Sequence, residues 1–250
     1  MATSFDQTEV LQRELEGASD RAAAIVAGAF LDEVLQELLC EFLIKGTAGD
    51  KKLFEGTGAL ATFSAKIEMS YRLGLISQGE HRTLTTVRGI RNDFAHVLGE
   101  LSFATQSVQA RCRNIEVPLP LVAPRKVPLS QKGEVPPLPK IEKAASDNAR
   151  AIFQETVITL MHHLAVRVAE AGEMQRKNPP DFAAAHEPGE LIARRLRDLR
   201  DRYEELVADA KSPPEEKALT SESRDKYEML IQVQEFCCRQ IKRAHEALRG

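Results

Sequence analysis

Arg91-Asn92-Asp93-Phe94-Ala95-His96 is the stretch of this chain whose side chains could do chemistry. Histidine titrates near pH 6.5 and can relay a proton, and arginine can neutralise charge developing on a phosphorane. With a ribose 2′-hydroxyl as nucleophile, such groups suffice to cleave RNA without a serine, a cysteine, a metal or any other cofactor. Spacing constrains this reading. Arg88, Asn92 and His96 recur at i, i+4 and i+8, so successive members are offset by about 40° around a helix. Arg91 stands five positions from His96 and about 140° away. A single straight helix does not aim both at one atom; a helix start, a kink, or the same helix of a second protomer would have to. The structural alternative is a buried hydrogen-bonded pair of Asn92 and His96, with Arg91 held by an acid such as Asp20 or Asp32.

Helices carry these groups. Ser19 is placed to cap a helix over residues 19–45, where Leu31, Val34, Leu35, Leu38, Leu39, Phe42 and Leu43 repeat on one face. After a loop with Gly56 and Gly58, a second helix is expected over 62–73 with Phe63, Ile67 and Tyr71 inward. Ser77 followed by Glu80 reads as a capping box, and the helix it opens turns Leu84, Val87, Ile90, Phe94 and Val97 to the core. Seven of the 12 prolines, Pro118, Pro120, Pro124, Pro128, Pro136, Pro137 and Pro139, lie within 117–140. Proline lacks the amide donor and biases its predecessor away from the helix, so an extended connector is expected, strapped over the domain by its interspersed Leu and Val. A helix resumes over 142–172 with Phe153, Val157, Leu160, Leu164 and Val168 in phase.

Beyond Asn178-Pro179-Pro180 the spacing narrows. Ile192, Leu196, Leu199, Tyr203, Leu206 and Ala210 form one heptad-like run; Tyr227, Leu230, Gln234, Cys237, Ile241, Ala244 and Leu248 form another. Ser212-Pro213-Pro214 breaks the chain between them, which predicts an antiparallel hairpin. The expected divisions are a polar segment over 1–18, a helical domain over 19–175 and the hairpin over 180–250.

Composition agrees with helices. Of 250 residues, 43% are hydrophobic and 28% charged, aromatics are 5%, and there is no Trp. Leu, Ala, Glu and Arg lose little rotamer freedom in a helix, whereas strands favour β-branched and aromatic residues. A net charge of −3 supplies no global field toward nucleic acid or an anionic membrane. No apolar run is long enough to span a bilayer, and no secretory signal is visible. The 4 cysteines form no C-x-x-C pair and two are adjacent, which points to reduced thiols and a cytoplasmic location rather than a zinc site. In Arg194-Arg195-Leu196-Arg197-Asp198-Leu199-Arg200-Asp201-Arg202, acids interleave with the bases, as on a solvated helix face with intrahelical pairs. His162 and His163, as neighbours on a helix, point about 100° apart, which places one at the core edge and one in solvent rather than on a shared metal.

The segment from Arg91 to His96 resembles the R-x(4–6)-H motif of the HEPN superfamily, helical domains that include ribonuclease toxins and non-catalytic relatives. Around it, Ser19-Asp20-Arg21, Leu53-Phe54-Glu55-Gly56, Phe63-Ser64-Ala65-Lys66-Ile67 and Leu73-Gly74-Leu75-Ile76 occur in an order that resembles the mannitol-repressor (MltR-like) family within that fold. The similarity covers about residues 19–172, and the C-terminal hairpin has no counterpart in it. The resemblance implies an all-α, HEPN-like helical bundle followed by the hairpin. It also implies a regulatory or interaction protein, in the manner of relatives described as transcriptional regulators of sugar-alcohol uptake without an ordinary DNA-reading module. The alternative it implies is a metal-independent endoribonuclease acting on RNA, with Arg91, His96 and Asn92 catalytic across a dimer and Asp20, Arg21, Arg88 and Asp93 supporting the motif. Expected partners are a second copy of the chain and a protein held by the hairpin, with no membrane and no cofactor.

Overall fold

Ser19 starts the central helix as its hydroxyl predicts: Oγ accepts the Ala22 amide at 3.2 Å. The computed structural model describes residues 4–97, 99–122, 138, 141, 143–179, 181–208 and 214–248. In it the helix runs Asp20–Phe42 (α2) and is buried on several sides. Ala23, Ala24, Ala27 and Gly28 admit close neighbours near its start, and Leu31, Val34, Leu35, Leu38, Leu39 and Phe42 fill the core beyond. Its main neighbour is Ala149–Glu173 (α7), which begins later than residue 142, where the Asn148 side chain accepts the Ala151 amide at 3.0 Å. Phe153, Val157, Leu160, Leu164 and Val168 are all buried, as their spacing predicts.

The remaining helices wrap this pair. The first residues, expected as a polar segment, form a helix over Ser4–Leu15 (α1) whose Leu11 and Leu15 are buried against the core. Thr47–Phe54 (α3) is a short helix the sequence did not signal. Phe63–Arg72 (α4) is capped by Thr62, whose hydroxyl accepts the Ala65 amide. It stops at Gly74, whose φ of 73° is left-handed and readily adopted by glycine. Gln78–His96 (α5) opens with the expected capping box: Glu80 Oε2 accepts the Ser77 amide at 2.6 Å and Ser77 Oγ accepts the Glu80 amide at 3.2 Å. Leu84, Val87, Ile90 and Phe94 are buried, but Val97, expected beside them, is exposed, because the helix ends at His96 and extended backbone swings Val97 off the stripe. Gln106–Asn114 (α6) was also unforeseen; it buries Val108 and Cys112. Of the proline-rich stretch, Val117 and Val122 are buried around a 3-10 turn at Leu119–Leu121. The rest of the expected strap, 123–137 and 139–140, lies outside the described residues. Among the described residues there is no strand, and the chain is an all-helical bundle.

The chain divides into two compact units, Met1–Asn178 and Pro179–Gly250. The second holds Glu187–Ala208 (α8) and Pro214–Ala247 (α9). Partners along the pair run in opposite order, Glu190 with Lys242, Arg197 with Glu235 and Arg200 with Glu228, so the helices are antiparallel. Their seam is rotated from the heptad expectation. Tyr203 and Tyr227 do meet, with ring centroids 5.3 Å apart. The buried residues are however Ala193, Ile231 and Cys238, whereas Ile192, Leu199, Cys237 and Leu248 face outward. Small residues account for the rotation: a Cβ at Gly189 would come 2.5 Å from Cys238 Sγ, so α9 settles over Gly189 and Ala193 and leaves the larger Ile192 exposed.

Candidate functional site

The buried face of α5 dictates where its polar residues go. Phe94 packs on Phe103, which packs on Phe153 of α7, with ring centroids 5.0 Å and 5.1 Å apart, and this aromatic row holds the end of α5 against the core. Arg88, Arg91, Asn92 and Asp93 are then left half-buried and His96 exposed.

Several of these groups are locked into the fold. The Arg21 guanidinium of α2 donates to the carbonyl oxygens of Phe94 and, at 2.8 Å, Val97, so it caps the C-terminal end of α5. Asp93 accepts from Arg111 of α6. Asp20 accepts the Phe103 amide at 2.9 Å and an Arg150 nitrogen at 2.8 Å, and Arg150 also donates to the Ala18 carbonyl. Asp20, Arg21 and Asp93 therefore join α2, α5, α6 and α7 at one polar corner. That is a positioning role, and bidentate or charge-assisted contacts suit it.

Arg91 is placed by a residue that sequence reasoning missed. A Cβ at Gly28 would lie 2.7 Å from Arg91 Cγ, so the glycine in the middle of α2 makes room for the arginine stem. Glycine costs about 1 kcal/mol in a helix interior, and that cost is the signal that could have found it. The Arg91 guanidinium then donates to Asn92 Oδ1 at 3.1 Å. Neither Asp20 nor Asp32 holds it: Asp20 is engaged as above, and Asp32 lies 2.9 Å from Lys66, a buried lysine. The expected buried pair of Asn92 and His96 is not formed either. His96 is exposed at the last turn of α5 and makes no hydrogen bond to another described residue, and the same holds for Arg88. Within one chain Arg91 and His96 share no partner. The surface groups that remain available to a ligand are Arg88, the Arg91–Asn92 pair and His96. Arg111, Arg150 and Phe103, which complete the corner, carried no local sequence signal.

The arginine-rich run of α8 binds inward as well as along its own helix. Arg200 lies 3.9 Å from Glu204, four residues on, as an intrahelical pair should, but it also reaches Glu228 at 2.9 Å, and Arg197 reaches Glu235 at 2.5 Å. Among the described residues, no group of three or more His, Cys, Asp or Glu could hold a metal ion, and no helix is long and apolar enough to cross a membrane. Cys112, Cys237 and Cys238 are free thiols, and burial pushes the Cys112 thiol up to about 11.

Fold and corner together define an all-helical protein with a separate two-helix unit. No family model matches the sequence, and no curated protein matches it. Among solved structures the chain is similar to the MtlR–HPr complex from Escherichia coli, at 22% identity and a TM-score of 0.44, over 65% of this chain and 98% of that one.

Proposed function

We propose that this chain is a regulatory or interaction protein that acts by docking a protein partner on its C-terminal hairpin. The observation that supports this reading is the apolar surface the hairpin leaves uncovered. Met229, Val233 and Phe236, spaced i, i+4, i+7, are 58%, 50% and 54% exposed, and Ile192 and Leu199, one heptad apart on α8, are 46% and 38% exposed. Met229, Val233 and Phe236 lie on the side of α9 opposite the seam residues Ile231 and Cys238, counting about 100° per residue. An apolar stripe left in water at helical spacing marks a protein contact and suits a partner that presents a helix. The segment order that resembles the mannitol-repressor family points the same way, toward regulation without a DNA-reading module.

The test compares three strains, carrying the wild-type chain, the Val233→Asp/Phe236→Asp chain and the His96→Ala chain, against a deletion. Residue-resolved cross-linking should place a partner on residues 192–236 of the wild type and lose it in the double variant. Transcript changes seen in the deletion should recur in the double variant and be absent from His96→Ala. The reverse pattern, a silent hairpin variant beside a His96→Ala strain that mimics the deletion, would overturn the proposal.

A second reading is favoured by one specific observation: the His96 ring stands exposed on the helix that also carries Arg88, Arg91 and Asn92. A homodimer that set Arg91 of one protomer against His96 of the partner subunit would make a metal-independent endoribonuclease. Structured and single-stranded RNA incubated with the protein in EDTA should then be cut, and Arg91→Ala and His96→Ala should each abolish cutting. Intact RNA over a wide protein range removes this reading.

A further inference from the structure

A cleft of about 950 Å³ opens in the first unit between the N-terminal half of α5, the chain that follows α6, and the middle of α7. That volume is at the upper end of small-molecule sites. Its floor is apolar, formed by Ile115, Val117 and Leu160, all buried.

The hydroxyls around it are engaged, with one exception. Thr83, Thr85 and Thr86 donate to the carbonyls four residues back at 3.0, 2.8 and 3.0 Å. Thr156 donates to the Ile115 and Ile152 carbonyls at 3.0 and 2.8 Å. Thr159 is 5% exposed, lines the cleft, and makes no hydrogen bond to another described residue. The Thr159 hydroxyl is not among the fully sealed side-chain atoms that lack a partner, so it opens to the cleft and is free to meet a ligand there.

The charges at the cleft are also unequal. Glu80 is nine-tenths buried; one oxygen caps α5, and the other faces His163 Nδ1 at 3.9 Å and Arg167 Nε at 3.7 Å. Glu116 is held by Lys143 at 2.7 Å. Both acids are satisfied from within the protein. Burial pushes the His163 ring below the ordinary histidine range, so the ring adds little positive charge to the cleft. Arg82 is exposed on the same cleft and has no ion-pair partner among the described residues. The uncompensated charge is positive.

We propose that this cleft binds a small amphipathic organic anion, its apolar body on Ile115, Val117 and Leu160, its acid group at Arg82, and a polar atom at the Thr159 hydroxyl. The cleft shares no lining residue with the hairpin surface or with the Arg91–His96 corner. Its test uses 1-anilinonaphthalene-8-sulfonate as the probe on the full chain, read by fluorescence titration, with uncharged N-phenyl-1-naphthylamine beside it. One saturable site is expected for the sulfonate, weakened about tenfold in Arg82→Glu and about fivefold in Thr159→Val, with the neutral probe about tenfold weaker. Phe236→Asp, which alters only the hairpin surface, should leave that affinity unchanged. Arg82 is on the surface, so its variant folds whatever the fate of Thr159→Val. Absence of saturable binding, equal affinity in Arg82→Glu, equal affinity of the neutral probe, or loss in Phe236→Asp would each overturn the proposal.

Discussion

In the first unit α2 and α7 are each covered on several sides, and Leu31, Leu35, Phe153 and Leu164 lose their entire surface. In the second unit two helices meet along one seam, and among the described residues Ala193, Ile231 and Cys238 are its buried hydrophobics. The difference follows from geometry. A helix in a bundle can bury several stripes, whereas a helix in a pair can bury one, and the apolar residues on its other faces stay in water until something else covers them. Ion pairs such as Arg200 with Glu228 border the hairpin seam, but pairs open to solvent are screened and add little to stability. The hairpin is therefore the region whose apolar surface is in excess, whereas the polar corner of the first unit is largely spent on joining its helices.

The contrast can be broken most directly in the core. Leu35→Ala should cost about 2–5 kcal/mol in urea denaturation, since Leu35 is fully buried. A loss under about 1 kcal/mol would show that α2 is not central. In the hairpin the largest effect should come from Gly189→Val, whose new Cβ meets Cys238 Sγ; about 1–3 kcal/mol is expected, partly recovered in the Gly189→Val/Cys238→Ala double variant. Calorimetry that found the two single variants strictly additive would remove the contact as the cause of the rotated seam. Arg200→Ala should lower the thermal midpoint less than either Leu35→Ala or Gly189→Val, and raising salt from about 0.05 to 0.5 M should erase the difference from wild type.

The smallest effect sharpens the comparison on the first unit's side and concerns pH. Because burial holds His163 below its ordinary range, the unfolded chain takes up a proton there before the folded chain does as pH falls. Stability should therefore decline below about pH 6.5, the ordinary histidine value, and level off below the folded value. The thermal midpoint of His163→Gln, followed from about pH 7.5 to 5, should fall less steeply than that of the wild type.

What the sequence made legible is what local rules govern. Ser19 and the Ser77–Glu80 pair announce helix starts because the donor and acceptor lie three residues apart, and the core stripes of α2, α5 and α7 follow from the helical repeat. The helices α1, α3 and α6 escaped because each is short and bears few apolar residues; Leu11 and Leu15 become core only through neighbours far along the chain. The hairpin phase escaped because two adjacent stripes both fit a heptad, and the choice rests on how close Gly189 and Ala193 let α9 approach. At the candidate site, the angular separation of Arg91 and His96 was readable, whereas the duties of Asp20 and Asp93 were not. Their partners Arg150 and Arg111 lie 130 and 18 positions away, and no spacing rule reaches that far.

The distance between Asp20 and Arg150 also bears on how the protein is born. Closing a loop of 130 residues costs about 4 kcal/mol of chain entropy before α2 and α7 meet. At roughly 5–20 residues per second, a ribosome extrudes α2 on the order of ten seconds before α7 exists. Through that interval the leucines of α2 lack their main neighbour, so the nascent chain presents a sticky helix to whatever holdase waits at the tunnel exit.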